Sequence, residues 1–409
     1  MKALLISIGT AGDVFPFIAL GKALQNRGNL VQLASHGEYR DVAESAGLTF
    51  RELHGTKALR GSVELYHPVR AIERIAKDLL LPALQPVYDL VAGLERGQWT
   101  VISHFFCYGA RLSQEVHGTS LVTAVVNPFA IRSADSMPVF PKLRWLCSAP
   151  LFLRRAFFSM TSRAWDKQLA QGLNAYRTTL GLPPVMDIFY EWALSPRRVI
   201  GLFPEWFAPK AADWPAAFVH GGFPHLDQAN GQRLPADLNW SDRPRVVFAA
   251  GSSGLAAESF FDHAIEASRG SHWQSLLLTG FVNGRKRDLP ANVQRRPFIP
   301  FSAVLPQSDL FVHHGGLGSA SAAMRAGVPQ LVIPFGHDQF DTADRVVRLG
   351  VGQTLQARQQ SSAIADAVTR LLNDRSIHER AREIARRMQS NASSDFACRL
   401  IEGGEPATS

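Results

Sequence analysis

The stretch DLFVHHGGLGSASAAMRAGVPQLVIPFGHDQFDTAD, residues 309–344, decides the fold. An apolar run at 310–312 ends in two histidines and the glycines Gly315, Gly316 and Gly318. From Ser319 the period turns helical, with Ala320, Ala323, Met324 and Gly327 on one face, until Gly327-Val328-Pro329 stops it. A second apolar run at 330–334 follows at once. The order is strand, glycine turn, helix, strand. Such a turn leaves backbone N–H groups unpaired at the start of a helix whose dipole favours anions, so it suits a phosphate or diphosphate. Its glycines let a ligand approach the backbone closely.

Working outward, residues 2–8 predict a strand, 9–13 a Gly-Thr-Ala-Gly-Asp turn and 14–26 a helix. Strand 30–34, helix 38–46 and strand 48–53 follow, then a helical stretch at 70–94 interrupted by Pro82 and Pro86. Short apolar runs at 100–103 and 121–126 join the same sheet, and 199–203 reads as the last strand of this first domain. Periodicity vanishes at 221–244, where Gly, Pro, Asp and Asn dominate, which predicts a linker between a domain at 1–220 and a second at 245–385. The second opens with strand 245–250, the turn Gly251-Ser252-Ser253-Gly254 and a helix from about Glu258. Strands 275–279, 293–295, 310–312 and 330–333 and helices 362–372 and 378–389 complete it. Strands alternating with helices call for parallel sheets covered on both faces. The fold class is α/β, as two Rossmann-like domains facing each other across a cleft.

At 409 residues, 46% hydrophobic and 19% charged, the chain has the composition of a soluble globular protein with room for two cores. No apolar run reaches the ~18–20 residues that span a bilayer, and the apolar start at 3–8 is too short for a signal-peptide core. A cytoplasmic location is expected. Cys107, Cys147 and Cys398 are odd in number and far apart, which predicts free thiols rather than a disulfide framework or a zinc cluster. The net charge of +8 is dispersed in pairs such as Arg154-Arg155 and Arg197-Arg198. With no basic strand interleaved with aromatics and no recognition helix, it argues against nucleic acid and leaves peripheral membrane contact open. From residue 138 to 180 the sequence is helical and aromatic-rich, including Trp145, Phe152, Phe157, Phe158 and Trp165. That stretch reads either as a helical insertion packed on its own domain or as a greasy acceptor cleft or membrane-facing patch.

The segment 309–344 resembles the donor-binding signature of two-Rossmann-domain (GT-B) nucleotide-sugar glycosyltransferases. In that family a His-Gly-Gly-x-Gly-Ser/Thr turn binds the diphosphate and an acidic-Gln pair about twenty residues later binds sugar hydroxyls. The matching positions are His314, Gly315, Gly316, Gly318 and Ser319, then Asp338 and Gln339. The opening ISIGTAGDVFPFIALGKAL at 6–24, LFPEWFAPKAADWP at 202–215, GGFP at 221–224 and HDQFDTADRVVRLGVG at 337–352 resemble, within the family, the bacterial rhamnosyltransferases that make mono-rhamnolipid. The resemblance implies transfer of rhamnose from dTDP-L-rhamnose to the hydroxyl of a 3-(3-hydroxyalkanoyloxy)alkanoate. It implies inversion by a single displacement, no required metal, and no cofactor beyond the nucleotide-sugar donor as co-substrate. It also implies an acceptor pocket in the N-terminal half and a final helix within 386–409 that crosses back onto the first domain.

Sugar transfer needs charge stabilisation on the leaving diphosphate, a grip on the sugar and a base for the attacking hydroxyl. For the diphosphate the candidates are His314 with the N–H groups around Gly316, Gly318 and Ser319, and Ser252 and Ser253 from the parallel turn; His314 also reads as a structural residue at a strand end. For the sugar they are Asp338 and Gln339, with Asp338 equally suited to cap the helix beginning near Phe340. For the base the candidate is Asp13, because in the resembling enzymes a His or Asp sits in the first turn three residues before a proline, as in Asp13-Val14-Phe15-Pro16; Asp13 also suits an N-cap. Phe298-Ile299 lies where many family members stack a Trp on uracil; Phe298 is either a base-stacking ring or ordinary core, and the absent Trp weighs against a uridine donor and leaves deoxythymidine open. A metal at His313-His314 is disfavoured because strand neighbours point to opposite faces. His337, Asp338 and Asp341 form a second conceivable metal group, which the helix turn makes unnecessary. The competing expectations are a UDP-glucose-dependent transferase for a lipid, sterol or other small hydrophobic aglycone, a nucleotide-sugar 2-epimerase of the same fold, and a non-enzymatic activator of a partner transferase.

Overall fold

Apolar runs without polar alternation make strands that must be covered on both faces, and this is how both sheets are built. The computed structural model describes residues 1–57, 67–226, 234–235, 237–238, 240–251, 254–280, 288–356, 360–390 and 393–403. The N-terminal lobe holds β1 (Lys2–Ile6), β2 (Leu30–Ser35), β3 (Thr49–Glu52), β4 (Trp99–His104), β5 (Ser120–Val125), β6 (Val199–Gly201) and β7 (Phe218–His220), all parallel, in the order β3-β2-β1-β4-β5-β6-β7. The C-terminal lobe holds β8 (Arg245–Ala249), β9 (Gln274–Leu278), β10 (Val293–Arg296), β11 (Leu310–His313), β12 (Gln330–Val332) and β13 (Gly352–Thr354), parallel in the order β10-β9-β8-β11-β12-β13. In each sheet the winding reverses between the first and fourth strands, β1 beside β4 and β8 beside β11. Ligands of doubly wound sheets lie at such switch points, beyond the carboxyl ends of the strands.

Several boundaries differ from the sequence reading. The first domain does not end its sheet at 199–203: β7 adds an edge strand, and β13 does the same in the second lobe. Three residues are too few to show a period. Pro82, next to the start of helix Leu81–Ala92, and Pro86 inside it are both accommodated, so the prolines do not interrupt it. A π-helical turn at Ala76–Leu80 joins it to Pro68–Ile75. Within residues 138–180, helix Leu151–Thr179 packs by a stripe of Phe158, Ser162, Trp165, Leu169 and Leu173, at helical spacing, onto its own lobe.

The lobes are joined twice. Helix Gln339–Arg348 of the second lobe stands against the first, where buried Asp341 pairs with Arg345 at 2.7 Å and accepts from the Val139 N–H at 3.0 Å. Arg345 in turn donates to the Phe207 carbonyl at 3.2 Å and lies over its ring. Helix Ser393–Ile401 then returns to the first lobe and packs Ala397, Cys398, Leu400 and Ile401 with Leu5, Leu20 and Leu24. Glu402 beyond it meets Arg27 and Asn29, each at 2.7 Å. The three cysteines are free, Cys107 and Cys398 buried and Cys147 partly so. Among the described residues no helix is long and apolar enough to cross a membrane.

Candidate active site

The switch point of the first sheet brings together the turn after β1 and the end of β4. Helix Ala11–Asn26 begins three residues earlier than the period suggests, so Asp13 is not the N-cap; Thr10 is, and Asp13 lies in the first turn reaching back. Its Oδ2 accepts from the Thr10 N–H at 2.7 Å and the Thr10 hydroxyl at 2.9 Å. Gly9 makes this possible. Its φ of 127° belongs to glycine, and a Cβ there would lie 2.4 Å from Asp13 Oδ2. The other oxygen, Oδ1, faces His104 Nε2 at 3.6 Å. Burial pushes the Asp13 carboxyl up to about 6, against the pull of the Thr10 hydrogen bonds, while its side chain keeps 20% of its surface open.

Sequence reading missed His104. The apolar run 100–103 stops one residue short of it, yet a histidine closing a strand beside β1 was the available signal. It is buried, and burial lowers its pKa to about 3, so the ring is neutral. Its Nδ1 accepts from the Phe106 N–H at 3.3 Å, which leaves the proton on Nε2, the nitrogen turned toward Asp13. That Nε2 has no hydrogen-bond partner among the described residues.

In the second lobe the switch point brings the turn after β8 against the end of β11. The His314 ring is held between two glycines: a Cβ on Gly251 would lie 2.4 Å from its Cε1, and one on Gly316 would lie 2.6 Å from its Nε2. It stacks on Phe335 at 6.2 Å. Burial lowers its pKa to about 4, partly opposed by the Ala249 carbonyl, and Nδ1 is buried without a partner among the described residues. His313 does a different job: it bridges Gln330 Oε1 at 2.9 Å and the Gly315 N–H at 3.1 Å, which fixes the turn.

The helix after that turn starts at Leu317, not Ser319, with Gly316 as N-cap; Gly318 and Ser319 therefore belong to its first turn. Its first internal bond runs from the Ala320 N–H to the Gly316 carbonyl, so the N–H groups of Leu317, Gly318 and Ser319 precede the ladder, and a Cβ on Gly318 would meet open space. Ser252 and Ser253 lie outside the described residues.

Asp338 sits at the N-cap position of Gln339–Arg348 but makes no capping bond. Its carboxylate instead accepts from Asn127 Nδ2 of the other lobe. Burial first, then the charge of Asp13 across the cleft, raise its pKa to about 7. Gln339 is buried with Oε1 accepting from the N–H groups of Phe335 and Gly336 at 2.7 and 3.1 Å, which leaves its amide nitrogen as the free donor. Phe298 is 65% exposed and so is not core, whereas Ile299 is buried in the core of the second lobe. Asn127 also caps the following 3-10 turn by accepting from the Phe129 N–H at 3.0 Å. From there Phe129, Phe140 and Phe157 form a row of tilted and edge-to-face ring contacts at 5.0 Å centroid steps, ending on helix Leu151–Thr179. Among the described residues no three His, Cys, Asp or Glu side chains converge as a metal-binding group.

This arrangement sets a buried carboxyl with a raised pKa in one lobe against the unpaired N–H groups of a helix start and the buried carboxyl of Asp338 in the other. Comparisons with known proteins agree. Residues 3–93 match the glycosyltransferase family 28 N-terminal domain, and residues 282–402 match the erythromycin biosynthesis protein CIII-like C-terminal domain. The chain is 33% identical to the NDP-glycosyltransferase YjiC of Bacillus subtilis over 97% of its own length and 96% of the relative's. It is 28% identical to the O-mycaminosyltylonolide 6-deoxyallosyltransferase of Streptomyces fradiae over 98% and 97% of the two chains. A sterol 3-beta-glucosyltransferase of Candida albicans is 24% identical over 94% of this chain, which spans 26% of that longer protein. The crystal structure of the kitacinnamycin glycotransferase superposes with a TM-score of 0.77 at 22% identity, covering 99% of both chains. The chain is an enzyme of the GT-B nucleotide-sugar glycosyltransferase family.

Proposed function

We propose that the enzyme transfers L-rhamnose from dTDP-L-rhamnose to the free hydroxyl of a 3-(3-hydroxyalkanoyloxy)alkanoate, with inversion and in a single displacement. The observation that carries this reading is Asp13, a carboxylate raised to about 6 by burial, held by Thr10 and close enough to the other lobe for its charge to raise the pKa of Asp338. At neutral pH it is ionised and takes the proton of the acceptor alcohol as the alcohol oxygen forms its bond to the anomeric carbon. The bond from that carbon to the diphosphate oxygen breaks on the opposite face, and its electron pair leaves with the diphosphate.

The leaving charge is met by the N–H groups of Leu317, Gly318 and Ser319 and by the neutral His314 ring acting as a donor, with Ser252 and Ser253 assigned to the same phosphates. These groups supply the anion stabilisation that a metal or cofactor would otherwise provide, so the nucleotide sugar is the only co-substrate assigned. Asp338 and the Gln339 amide orient the sugar hydroxyls. Phe298 supplies a face for the nucleobase, with the Ile299 backbone beside it. His104 is assigned to orient the Asp13 carboxylate through the dipole of its Nε2–H, which faces Oδ1 at 3.6 Å. The aromatic row from Phe129 to Phe157 suits acyl chains, and it supports a lipid acceptor presented in the cytoplasm at the inner face of the membrane. Similarity to a 6-deoxyallosyltransferase supports a 6-deoxyhexose donor.

A second reading, a UDP-glucose-dependent transferase for a sterol or other hydrophobic aglycone, is favoured by the likeness to sterol 3-beta-glucosyltransferases. Incubation with dTDP-rhamnose and with UDP-glucose separately, each with the hydroxyalkanoyl lipid and with a sterol, separates them by mass spectrometry of the product. A rhamnosyl lipid is expected. A glucosyl sterol alone would replace the first reading with the second, and donor consumption without any acceptor would replace both with epimerisation.

A further inference from the structure

Residues 138–165 contain five basic side chains and no acidic one. The structure turns this segment into one face. The buried stripe of helix Leu151–Thr179 leaves Leu153, Ala156, Met160 and Arg163 along the opposite side, three to four residues apart, with Phe152 and Arg155 beside them. The 3-10 turn Arg144–Ser148 packs Leu146 onto Phe158 of the same helix and so sets Trp145 next to its start. Trp145 is 59% exposed, Phe152 68%, Leu153 37% and Met160 61%. Four of the ten exposed large apolar side chains among the described residues thus lie within sixteen positions of one another. Scattered exposed apolar residues need no explanation, but a contiguous group does.

We propose that this face docks on an anionic lipid bilayer, with Trp145, Phe152, Leu153 and Met160 entering the boundary between headgroups and acyl chains and Lys142, Arg155 and Arg163 meeting the lipid phosphates. Charge selects the occupant. Lys142, Arg155 and Arg163 have no ion-pair partner among the described residues, and aromatic and aliphatic side chains set among such cations are the composition of helices that lie in the membrane interface. A second copy of the same face would bring like charges together, which opposes self-association. Arg144 is excluded from the cation count because it pairs with Asp344 of the other lobe at 2.7 Å. That ion pair also fixes the face at the rim between the lobes, and Phe157 brings the aromatic row from the cleft onto the same helix. A membrane-resident alcohol would therefore reach Asp13 without crossing open water. The docking face stands whichever sugar is transferred.

The test is sedimentation of the full chain, without substrates, with vesicles of phosphatidylcholine alone and of phosphatidylcholine mixed with phosphatidylglycerol. Binding is expected to the mixed vesicles, to weaken with added salt, and to be faint on the neutral ones. Each phosphate-facing cation contributes about fivefold to partitioning, so R155Q/R163Q is expected to lower it by roughly 25-fold. F152S/L153S is expected to abolish it. All four positions are exposed, so circular dichroism and turnover of a short-chain, water-soluble acceptor are expected to match wild type. Equal binding to neutral vesicles, undiminished binding by either variant, or a concentration-dependent dimer that F152S/L153S dissolves in place of vesicle binding would each overturn the proposal. Failure of rhamnosyl transfer with retained, variant-sensitive vesicle binding would count against the proposed reaction and not against the docking face.

Discussion

Replacing Asp13 by Asn is expected to make the protein more stable and nearly inactive at once. Burial raises this carboxyl from 3.8 to about 6, so the folded state favours its protonated form. A native pKa above the unfolded value means that the folded state carries no penalty below pH 3.8 and a growing one as pH rises through 6, complete above it. About two pKa units correspond to about 3 kcal/mol. Against this, Asn surrenders a negative charge in the first helical turn, ~0.3–1 kcal/mol, and, while its oxygen keeps both Thr10 bonds, turns its amide NH2 toward the His104 N–H, at a cost of about 1 kcal/mol. The net is a gain of about 1–2 kcal/mol at pH 8 and a small loss at pH 4. At about 2–4 °C per kcal/mol for a lobe of this size, Tm at pH 8 is expected to rise by roughly 2–8 °C. Turnover is expected to fall by about 100- to 10,000-fold, the usual contribution of a general base. Thermal unfolding at both pH values, with initial rates on one donor and acceptor pair, measures both effects. Turnover near wild type would remove Asp13 from the reaction. A Tm difference between variant and wild type that is the same at pH 4 and pH 8 would refute the electrostatic account.

In wild type, kcat/KM is expected to climb about tenfold per pH unit below about 6 and to level off above it as Asp13 ionises, with a second inflection near 7 in donor affinity from Asp338; a flat profile between pH 5 and 8 would contradict both assignments. Gly316→Ala has an ordinary backbone conformation to keep but sets a Cβ 2.6 Å from His314 Nε2, so the ring must shift; donor KM is expected to rise at least tenfold with acceptor KM unchanged, measured by varying each substrate in turn. His104→Phe removes the N–H facing Asp13 but keeps the ring's bulk, and is expected to lower kcat and displace the pH inflection while leaving donor affinity, read by calorimetry, unaltered. Asp341→Ala strips the buried partner from the partly buried Arg345 at the lobe contact, leaves the Val139 N–H unpaired, and is expected to cost about 3 kcal/mol by chemical denaturation.

The parts legible in the sequence were those with local causes. The strands at 310–312 and 245–250 are uninterrupted apolar stretches once past Arg245, and the glycines after them have a reason visible on paper. Even so, the reason proved partly different: Gly316 and Gly251 clear space for a histidine ring as much as for a ligand. Asp13 was visible as a candidate, but its place inside the helix was not, because Ala11 and Gly12 carry no helical pattern of their own. What stayed hidden depends on distant neighbours. His104 is ninety-one residues from Asp13 and meets it only because β4 lies beside β1. Asn127 has no motif at all, and its role appears only when the lobes face each other. Phe298 and Ile299, adjacent in sequence, part company because one side chain turns into the core and the other away.

The returning helix Ser393–Ile401 gives the molecule an unusual kind of robustness. Since the tail of the second lobe is clasped by the first through Leu400, Ile401 and the Arg27–Glu402 pair, cutting the chain anywhere in 221–244 leaves two pieces that still hold each other.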